Sequence, residues 1–561
     1  MHRLWTIPEL TSAICDNLSE DIGSLASLAT TCRLISSLSQ CVLWRYVDRR
    51  SFAVLVDLSD PASRHFPCSI AQRKKRFDAL SHHVHTIDLC DHPIGGLNPL
   101  HDSTYNRLCY AWSSRDTPLS PLFPSLRHLS VLAGTTRDLE AAQLLFHKDL
   151  HTFSLELNPL ETWHGDEDIM TSASQVFESA FISLLGRLSQ GSDTLTSLTL
   201  LLDTFISNAL SPALSSLLSG FPNLQKFEAD RGMFTEPVLR HVGNLKNLRH
   251  VWYQCAYADS TPPGMSLTLT PTTPWFSSLR SVRLDHGFQD ALSVLKLISG
   301  PLEHLYLGFA LDDLVDPDVR QISRDASSFA ATLREFELDA TYAAQENPDH
   351  YPTWDSFASL YACRWLETLS LHLIGPAGRS TILGDSDIRP IAENWPRLKR
   401  FKLLWHPRAD RFHFISTEGP RNFSLYGLLH LYALCPHLHT VTLSAVVVPA
   451  ALPKPPTFDR GTICEQSGGR RALYLDMERL KWKDDSALPQ LAAYLGGSAG
   501  LPPLTLRPHR PVDGILQDHW FASYSPADLR KKLEKVNAMA SAVAWFARLR
   551  VSQKTLTFPA A

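Results

Sequence analysis

Four clusters in this chain have residue types and spacing that chemistry uses. Gly384-Asp385-Ser386 has the pattern of a hydrolytic serine motif. It stands just before a predicted helix, where Ser386 or Asp387 serves as an ordinary N-cap. Cys435, His437 and His439 alternate as metal ligands on one strand face would. Pro436 interrupts them, and the segment also reads as a lead-in to a strand. His82, His83 and His85 form a third group, with no fourth ligand nearby. Arg73-Lys74-Lys75-Arg76 is a basic run that reads as a phosphate-binding or nuclear-import patch, or as a solvated turn ahead of a helix. In each case the structural reading outweighs the chemical one. Neither a catalytic residue, a metal ligand nor a cofactor site is expected.

The wider sequence supports that reading. There is no glycine-rich phosphate loop, no Gly-x-Ser-x-Gly and no His-Glu-x-x-His. Lys+Arg total 53 against Asp+Glu 57, a net charge of -4, which argues against a nucleic-acid partner. Hydrophobic residues make up 44% and charged residues 20%, the balance of a folded chain. At 561 residues it exceeds what one core supports, so several domains or a repeat array are expected. No apolar run approaches the roughly 18 residues of a membrane span, so no membrane partner is expected. The N-terminal residues lack a secretory core, and the 10 cysteines show no Cys-x-x-Cys pair. A cytoplasmic or nuclear location is expected.

The elements that position the side chains come from internal repetition. Leu-x-x-apolar-x-apolar recurs about twelve times, starting at Val84, Leu126, Leu150, Leu195, Leu224, Leu248, Leu279, Leu302, Leu333, Leu366, Leu398 and Leu438. The alternation that closes each copy is the period of a strand with one buried face. Helical stretches lie between copies. One carries Val176, Phe177, Phe181, Leu184, Leu185 and Leu188 on a single face, and another carries Leu214, Leu217 and Leu218. Apolar-Pro pairs at Phe123, Phe221, Trp395 and Cys435 separate helix from strand.

One helix and one strand cannot bury a core alone, but stacked copies can. These copies resemble leucine-rich repeats. The spacing of 23 to 45 residues is looser than the family's roughly 20 to 29. The fold class that this implies is α/β, an irregular leucine-rich-repeat-like solenoid over residues 84–495 with parallel strands on its concave side and helices outside. A two-layer α/β domain with a parallel sheet is the alternative. Loop insertions are expected near 257–275 and 446–471, and a capping or partner-docking helix near 526–550 within the segment 496–561.

Residues 1–50 read as a separate module of three short helices, with 51–83 as linker. Ile7-Pro8-Glu9-Leu10 opens the module, Ile14 and Leu18 carry its first apolar face, and Leu25, Leu28, Cys32 and Arg33 form a Leu-x-x-Leu-x-x-x-Cys-Arg run. In these residues the module resembles an F-box. Leu43-Trp44-Arg45 matches its close. Two positions depart from the pattern: Cys15 replaces phenylalanine, and Leu34-Ile35 stands where tryptophan often follows Cys-Arg.

The resemblance implies a substrate receptor of an SCF (Skp–cullin–F-box) ubiquitin ligase. Ile7, Pro8, Leu10, Ile14, Leu18, Leu25, Leu28, Cys32, Leu43 and Trp44 would meet a Skp-type adaptor, and through it a cullin, or would hold the helices that do. The repeats would hold an unidentified protein substrate. The third and fifth residues of each copy should face the open side, giving Lys226/Glu228, His250/Trp252, Ser281/Arg283, His304/Tyr306, Glu335/Glu337, Thr368/Ser370 and Arg400/Lys402. Of these, Trp252, His304 and Tyr306 are the expected anchors, with His250, Arg283, Glu335, Glu337, Arg400 and Lys402 around them. A repeat scaffold unconnected with ubiquitin is the second reading, and a hydrolase using Ser386 the third.

Overall fold

The structure is a computed structural model that describes residues 8–19, 21–31, 33–60, 68–90, 102–113, 121–157, 167–191, 193–202, 210–230, 235–254, 275–285, 287–342, 352–375, 383–407, 424–447, 473–481 and 504–508. The expected helix near 526–550, and almost all of both loop insertions, lie outside these residues. Two compact units result. The first takes in Met1–Leu279 with Leu297–Gly300, and the second Arg280–Lys296 with Pro301–Ala561.

In the first unit three helices come first: α1 (Pro8–Asn17), α2 (Ile22–Ala29) and α3 (Arg33–Leu43). Then follow β1 (Tyr46–Asp48), α4 (Arg49–Asp57), α5 (Ile70–Ser81), β2 (Thr86–Asp88), α6 (Asp102–Ser113), β3 (His128–Ala133), α7 (Thr136–Leu145), β4 (Thr152–Leu157), α8 (Glu167–Gly191), β5 (Ser197–Leu202), α9 (Leu210–Ser219), β6 (Lys226–Asp230), α10 (Glu236–Gly243) and β7 (His250–Gln254). Strands β1 to β7 pair side by side in chain order, all parallel.

The second unit repeats the scheme with β8 (Ser281–Asp285), α11 (Phe288–Leu295), β9 (His304–Leu314), α12 (Asp316–Ser327), β10 (Glu335–Tyr342), a 3-10 stretch (Trp354–Ala362), β11 (Thr368–Gly375), α13 (Ile388–Asn394), β12 (Arg400–Pro407), α14 (Leu425–Leu434), β13 (Thr440–Val447), β14 (Leu473–Lys481) and β15 (Leu504–Pro508). These strands are also parallel and in chain order. Each unit is thus a leucine-rich-repeat-like α/β array of the solenoid class.

Every predicted copy becomes a strand start. The opening Leu or Val of all twelve copies is at most 1% exposed, which fixes it as core. The fourth residue is buried beside it, as at Leu129, Phe153, Leu198, Phe227, Phe336 and Phe401. A turn leads into each strand. In four copies the turn is built on the apolar-Pro pair, as when Leu126 N donates to Phe123 O at 3.1 Å and Leu398 N to Trp395 O at 3.1 Å. Proline suits the second position of such a turn because its φ is preset.

Register is set by a forked hydrogen bond. The second and third N–H of a copy both donate to the second-residue carbonyl of the copy before. Arg127 N and His128 N meet His85 O at 2.8 and 3.0 Å, and Lys399 N and Arg400 N meet Glu367 O at 2.7 and 3.0 Å. The same fork recurs at Thr196, Gln225, Arg249, Glu303, Arg334 and His439. Side chains one residue ahead of the copies add stitches, as Thr194 Oγ1 to Leu150 O at 2.9 Å and Thr332 Oγ1 to Leu302 O at 2.8 Å.

The arrays are longer than the sequence expectation. β1 lies within residues assigned to the helical module, the supposed linker contains α4 and α5, and β15 lies beyond residue 495. The basic run is part of helix α5 rather than a turn. Its Arg73 is buried and donates to Asp60 O at 2.8 Å. Val176 is also misplaced by periodicity: it is 61% exposed, and the buried face of α8 runs from Phe181 to Leu188.

The second unit has an aromatic core of its own. Trp354 and Trp395 stand edge to face at 6.2 Å, with Phe357 and Phe401 against Trp354. Trp395 Nε1 donates to Leu360 O at 3.0 Å, and Trp354 Nε1 to Tyr361 Oη at 2.7 Å. The indoles therefore bury their rings without stranding a donor.

Candidate interaction surfaces

The N-terminal helices build a small core of Cys15, Leu25 and Val42, with Leu18, Leu28, Leu38 and Leu43 packed against it. Cys15 lies at its centre, Sγ 3.5 Å from Ser39 Oγ. Two more polar groups, Thr11 and Ser39, are fully buried here, so the apolar content is modest. Ile14 and Trp44 are half-buried. Leu10 is 43% exposed, one helical turn from Ile14. Ile7 and Cys32 lie outside the described residues, as does the side chain of Pro8.

The module runs directly into the array. Arg45 O receives the fork from His85 N and Thr86 N, at 3.0 and 2.9 Å. Arg45 also pairs with Asp16 of α1 at 3.0 Å, and Cys41 Sγ lies 3.7 Å from His83 Nε2.

On the strand face opposite the core, His250 and Trp252 belong to the first unit. Arg283, His304, Tyr306, Glu335, Glu337, Arg400 and Lys402 belong to the second. All alternate with buried residues as the strand period requires. Trp252 is half-buried beneath Lys226, whose Nζ lies 5.9 Å from the ring centre. Lys226 also pairs with Glu228 at 3.0 Å, which accepts from Thr199 Oγ1 at 3.3 Å.

In the second unit the register lines up two rows. Ser281, His304, Glu335, Thr368 and Arg400 form one, and Arg283, Tyr306, Glu337, Ser370 and Lys402 the other. Glu335 is held from both sides, by His304 Nδ1 at 3.0 Å and Arg400 Nη2 at 2.9 Å. Arg283 covers the Tyr306 ring at 4.1 Å and pairs with Asp285 at 2.8 Å. Burial, then the Asp285 and Asp339 charges, pushes the Tyr306 hydroxyl well above its ordinary pKa, so it stays a donor. Glu337 and Lys402 make no ion pair among the described residues, and Ser370 stands between their strands.

Three positions expected to open onto this face are covered: Glu228 and Thr368 are 6% exposed and Ser370 9%. Long neighbours account for the first two. Lys226 pairs with Glu228, and Arg400 Nε donates to Thr368 Oγ1 at 3.1 Å.

The chemical candidates of the sequence resolve into structure. Asp385 to Asp387 is a single 3-10 turn ahead of α13, with Gly384 N donating to Asp387 Oδ2 at 2.8 Å. Asp385 accepts from Ser424 N at 2.9 Å and so ties down the start of α14. Cys435 is buried whereas His437 is exposed, so the two do not share a face, and burial pushes the Cys435 thiol up to about 12. Among the described residues no group of three His, Cys, Asp or Glu is placed to hold a metal. Nor is any described helix long and apolar enough to cross a membrane.

One feature escaped the sequence reading. The second residue of each copy sits on the rim where the strands start. In the second unit these residues are Arg280, Glu303, Arg334, Glu367 and Lys399, alternating in sign, and then His439. Arg280 pairs with Glu303 at 2.7 Å, and Glu367 with Arg334 at 3.8 Å and with Lys399. The alternation is visible in the sequence once the second position of each copy is read down the repeats.

No known protein family matches the sequence. No curated protein matches it either. Among solved structures the chain is similar to one in the Toll–Spatzle complex, a hub in Drosophila development and innate immunity, at 10% identity and a TM-score of 0.24. The similarity covers 77% of this chain, which spans 59% of that one. At that score the fold assignment rests on the strand order and register described above.

Proposed function

We propose that this protein is a substrate receptor that joins a protein partner on its repeats to a Skp-type adaptor, and through it a cullin, on its N-terminal helices. The observation that carries the reading is Leu10, left 43% exposed beside half-buried Ile14 on a module whose own core is small. Exposed apolar groups of this kind gain most when a partner covers them. The chain itself supplies no catalytic residue. It acts by raising the local concentration of substrate lysines near a ubiquitin-carrying enzyme.

On the repeats, Trp252 in the first unit and Tyr306 in the second are the aromatic anchors. Glu335 and Arg400 neutralise each other, so Glu337 and Lys402 are the charges left to orient a substrate in the second unit.

Co-purification with a Skp-type adaptor tests the reading. Leu10→Asp, at an exposed position, should abolish capture while leaving the circular dichroism unchanged. Capture at the wild-type level would sink the proposal. A repeat scaffold capped by its N-terminal helices is the second reading. It is favoured by the fork from His85 N and Thr86 N onto Arg45 O and by the Cys41–His83 contact, which bind the module to the array. Unfolding of β2 to β4 on deletion of the module would support it.

A further inference from the structure

The rim of the first unit differs from that of the second. Arg45, His85, Arg127 and His151 occupy successive strand starts, fixed by the forks at Arg45 O, His85 O and Arg127 O. Adjacent strands lie about 4.8 Å apart, so the four residues form a row of roughly 14 Å. His128 stands one residue further along β3, near enough to His85, Arg127 and His151 to interact with them electrostatically.

Among the described residues, two acids are paired at or beside this row. Asp16 of α1 is taken by Arg45 at 3.0 Å. Asp149 lies 4.0 Å from His147, and its carbonyl oxygen lies 2.7 Å from His151 Nδ1. His83, ahead of β2, adds another imidazole. Arg127 makes no ion pair among the described residues, and the side chains of His85 and His128 meet no described hydrogen-bond partner. Burial, then Arg127 and Arg45, holds His85 below the ordinary histidine range, and His83 and His128 add to the effect. Burial, then His151 and Arg127, does the same for His128.

We propose that this rim binds an acidic segment of a protein partner, an extended stretch rich in Asp and Glu laid across the strand starts from Arg45 to His151. The arrangement sets Arg127 beside imidazoles whose protonated forms it would repel, and Arg127 itself is exposed with no ion pair among the described residues. A carboxylate placed between Arg127 and the two imidazoles removes that repulsion and favours their protonated forms. Binding therefore takes up protons and strengthens as pH falls. The row is short and one strand deep, and the whole chain carries a net charge of -4. A short acidic peptide matches that footprint. With 53 Lys+Arg against 57 Asp+Glu, the chain has no basic excess of the kind that binding a nucleic acid or an anionic bilayer calls on.

The test uses the full chain and a fluorescein-labelled decaglutamate peptide, followed by anisotropy at about pH 7.5 and about pH 6.0, either side of the ordinary histidine pKa. Wild type should bind at least about fivefold more tightly at the lower pH. Arg127→Gln should weaken binding roughly tenfold at both values, and Arg127→Lys should restore most of it. His85→Gln with His128→Gln should leave the affinity at the higher pH and remove the gain at the lower. Arg389→Gln, on an exposed pair with Glu393 in the second unit, should bind as wild type does. No binding by the wild type, no response to pH, or Arg127→Gln binding like wild type would each overturn the proposal. So would tighter binding of phosphatidylserine vesicles or of oligothymidylate than of the peptide.

Discussion

In the second unit the rim reads Arg280, Glu303, Arg334, Glu367, Lys399 and then His439, and in the first it reads Arg45, His85, Arg127, His151, Thr196, Gln225, Arg249. The backbone at these positions is the same, down to the forked hydrogen bond. The side chains answer different demands. Alternating charges neutralise their neighbours across a spacing of about 4.8 Å and leave nothing for a partner. A run of arginine and histidine does the reverse. The difference teaches that in these arrays the fold is carried by the opening leucine and the fourth and sixth residues, which frees the rim to be either a seam or a binding surface.

The comparison can be broken first at its foundation. If the core rather than the rim carries the fold, Trp395→Ala should cost about 3–5 kcal/mol in urea unfolding, more than any rim substitution. A rim variant that costs as much would overturn the division of labour. Next in size is Glu367→Lys, which sets three cations side by side in the second unit. These groups are partly exposed, so a loss of about 1 kcal/mol is expected, shrinking in high salt. A loss that ignores salt would mean packing, not charge.

Acid should then separate the two units. His85 and His128 are held below the ordinary histidine pKa of about 6.5, so the unfolded chain binds protons there first. Their contribution is intact above about 6.5 and is lost as pH falls below it. Glu367 is held below 4.5, chiefly by its hydrogen bond from Lys399, so its contribution is lost only below that value. Hydrogen exchange at about pH 5.5 should therefore loosen β2 and β3 while β11 and β12 stay protected. Equal loosening would contradict the electrostatic contrast. The smallest effect expected is from Arg127→Glu, which imposes on the first rim the alternation of the second. It should leave stability unchanged or raise it by a few tenths of a kcal/mol, as a thermal melt would show.

Much of the array was legible in the sequence. All twelve copies became strands because the opening Leu and the alternation after it report burial directly. β1, β14 and β15 were not legible. β1 spans three residues and lacks an opening leucine, and β14 and β15 follow a Pro- and Gly-rich stretch that hides the repeat. On the open face, the alternation placed Trp252, Tyr306 and their neighbours correctly against the core. It could not show that Glu335 is already engaged by His304 and Arg400, because cross-strand pairing depends on register, which the forked hydrogen bonds set. In the N-terminal module periodicity located three helices, but it did not reveal that Leu10 would remain uncovered while Cys15 took the centre.

The fork has a consequence for how such a chain can change over generations. Within each unit, successive copies are aligned by two N–H groups on one carbonyl of the predecessor, whatever lies between them. Intervals of 23 to 45 residues are all accommodated by this local rule. Residues can therefore be gained or lost on the helical side without shifting any strand, and a whole copy can be duplicated or excised so long as the turn and its opening leucine travel with it. Growth by insertion is cheap in this architecture, and the rim residue of each copy can then drift towards a new partner while the ladder keeps its count.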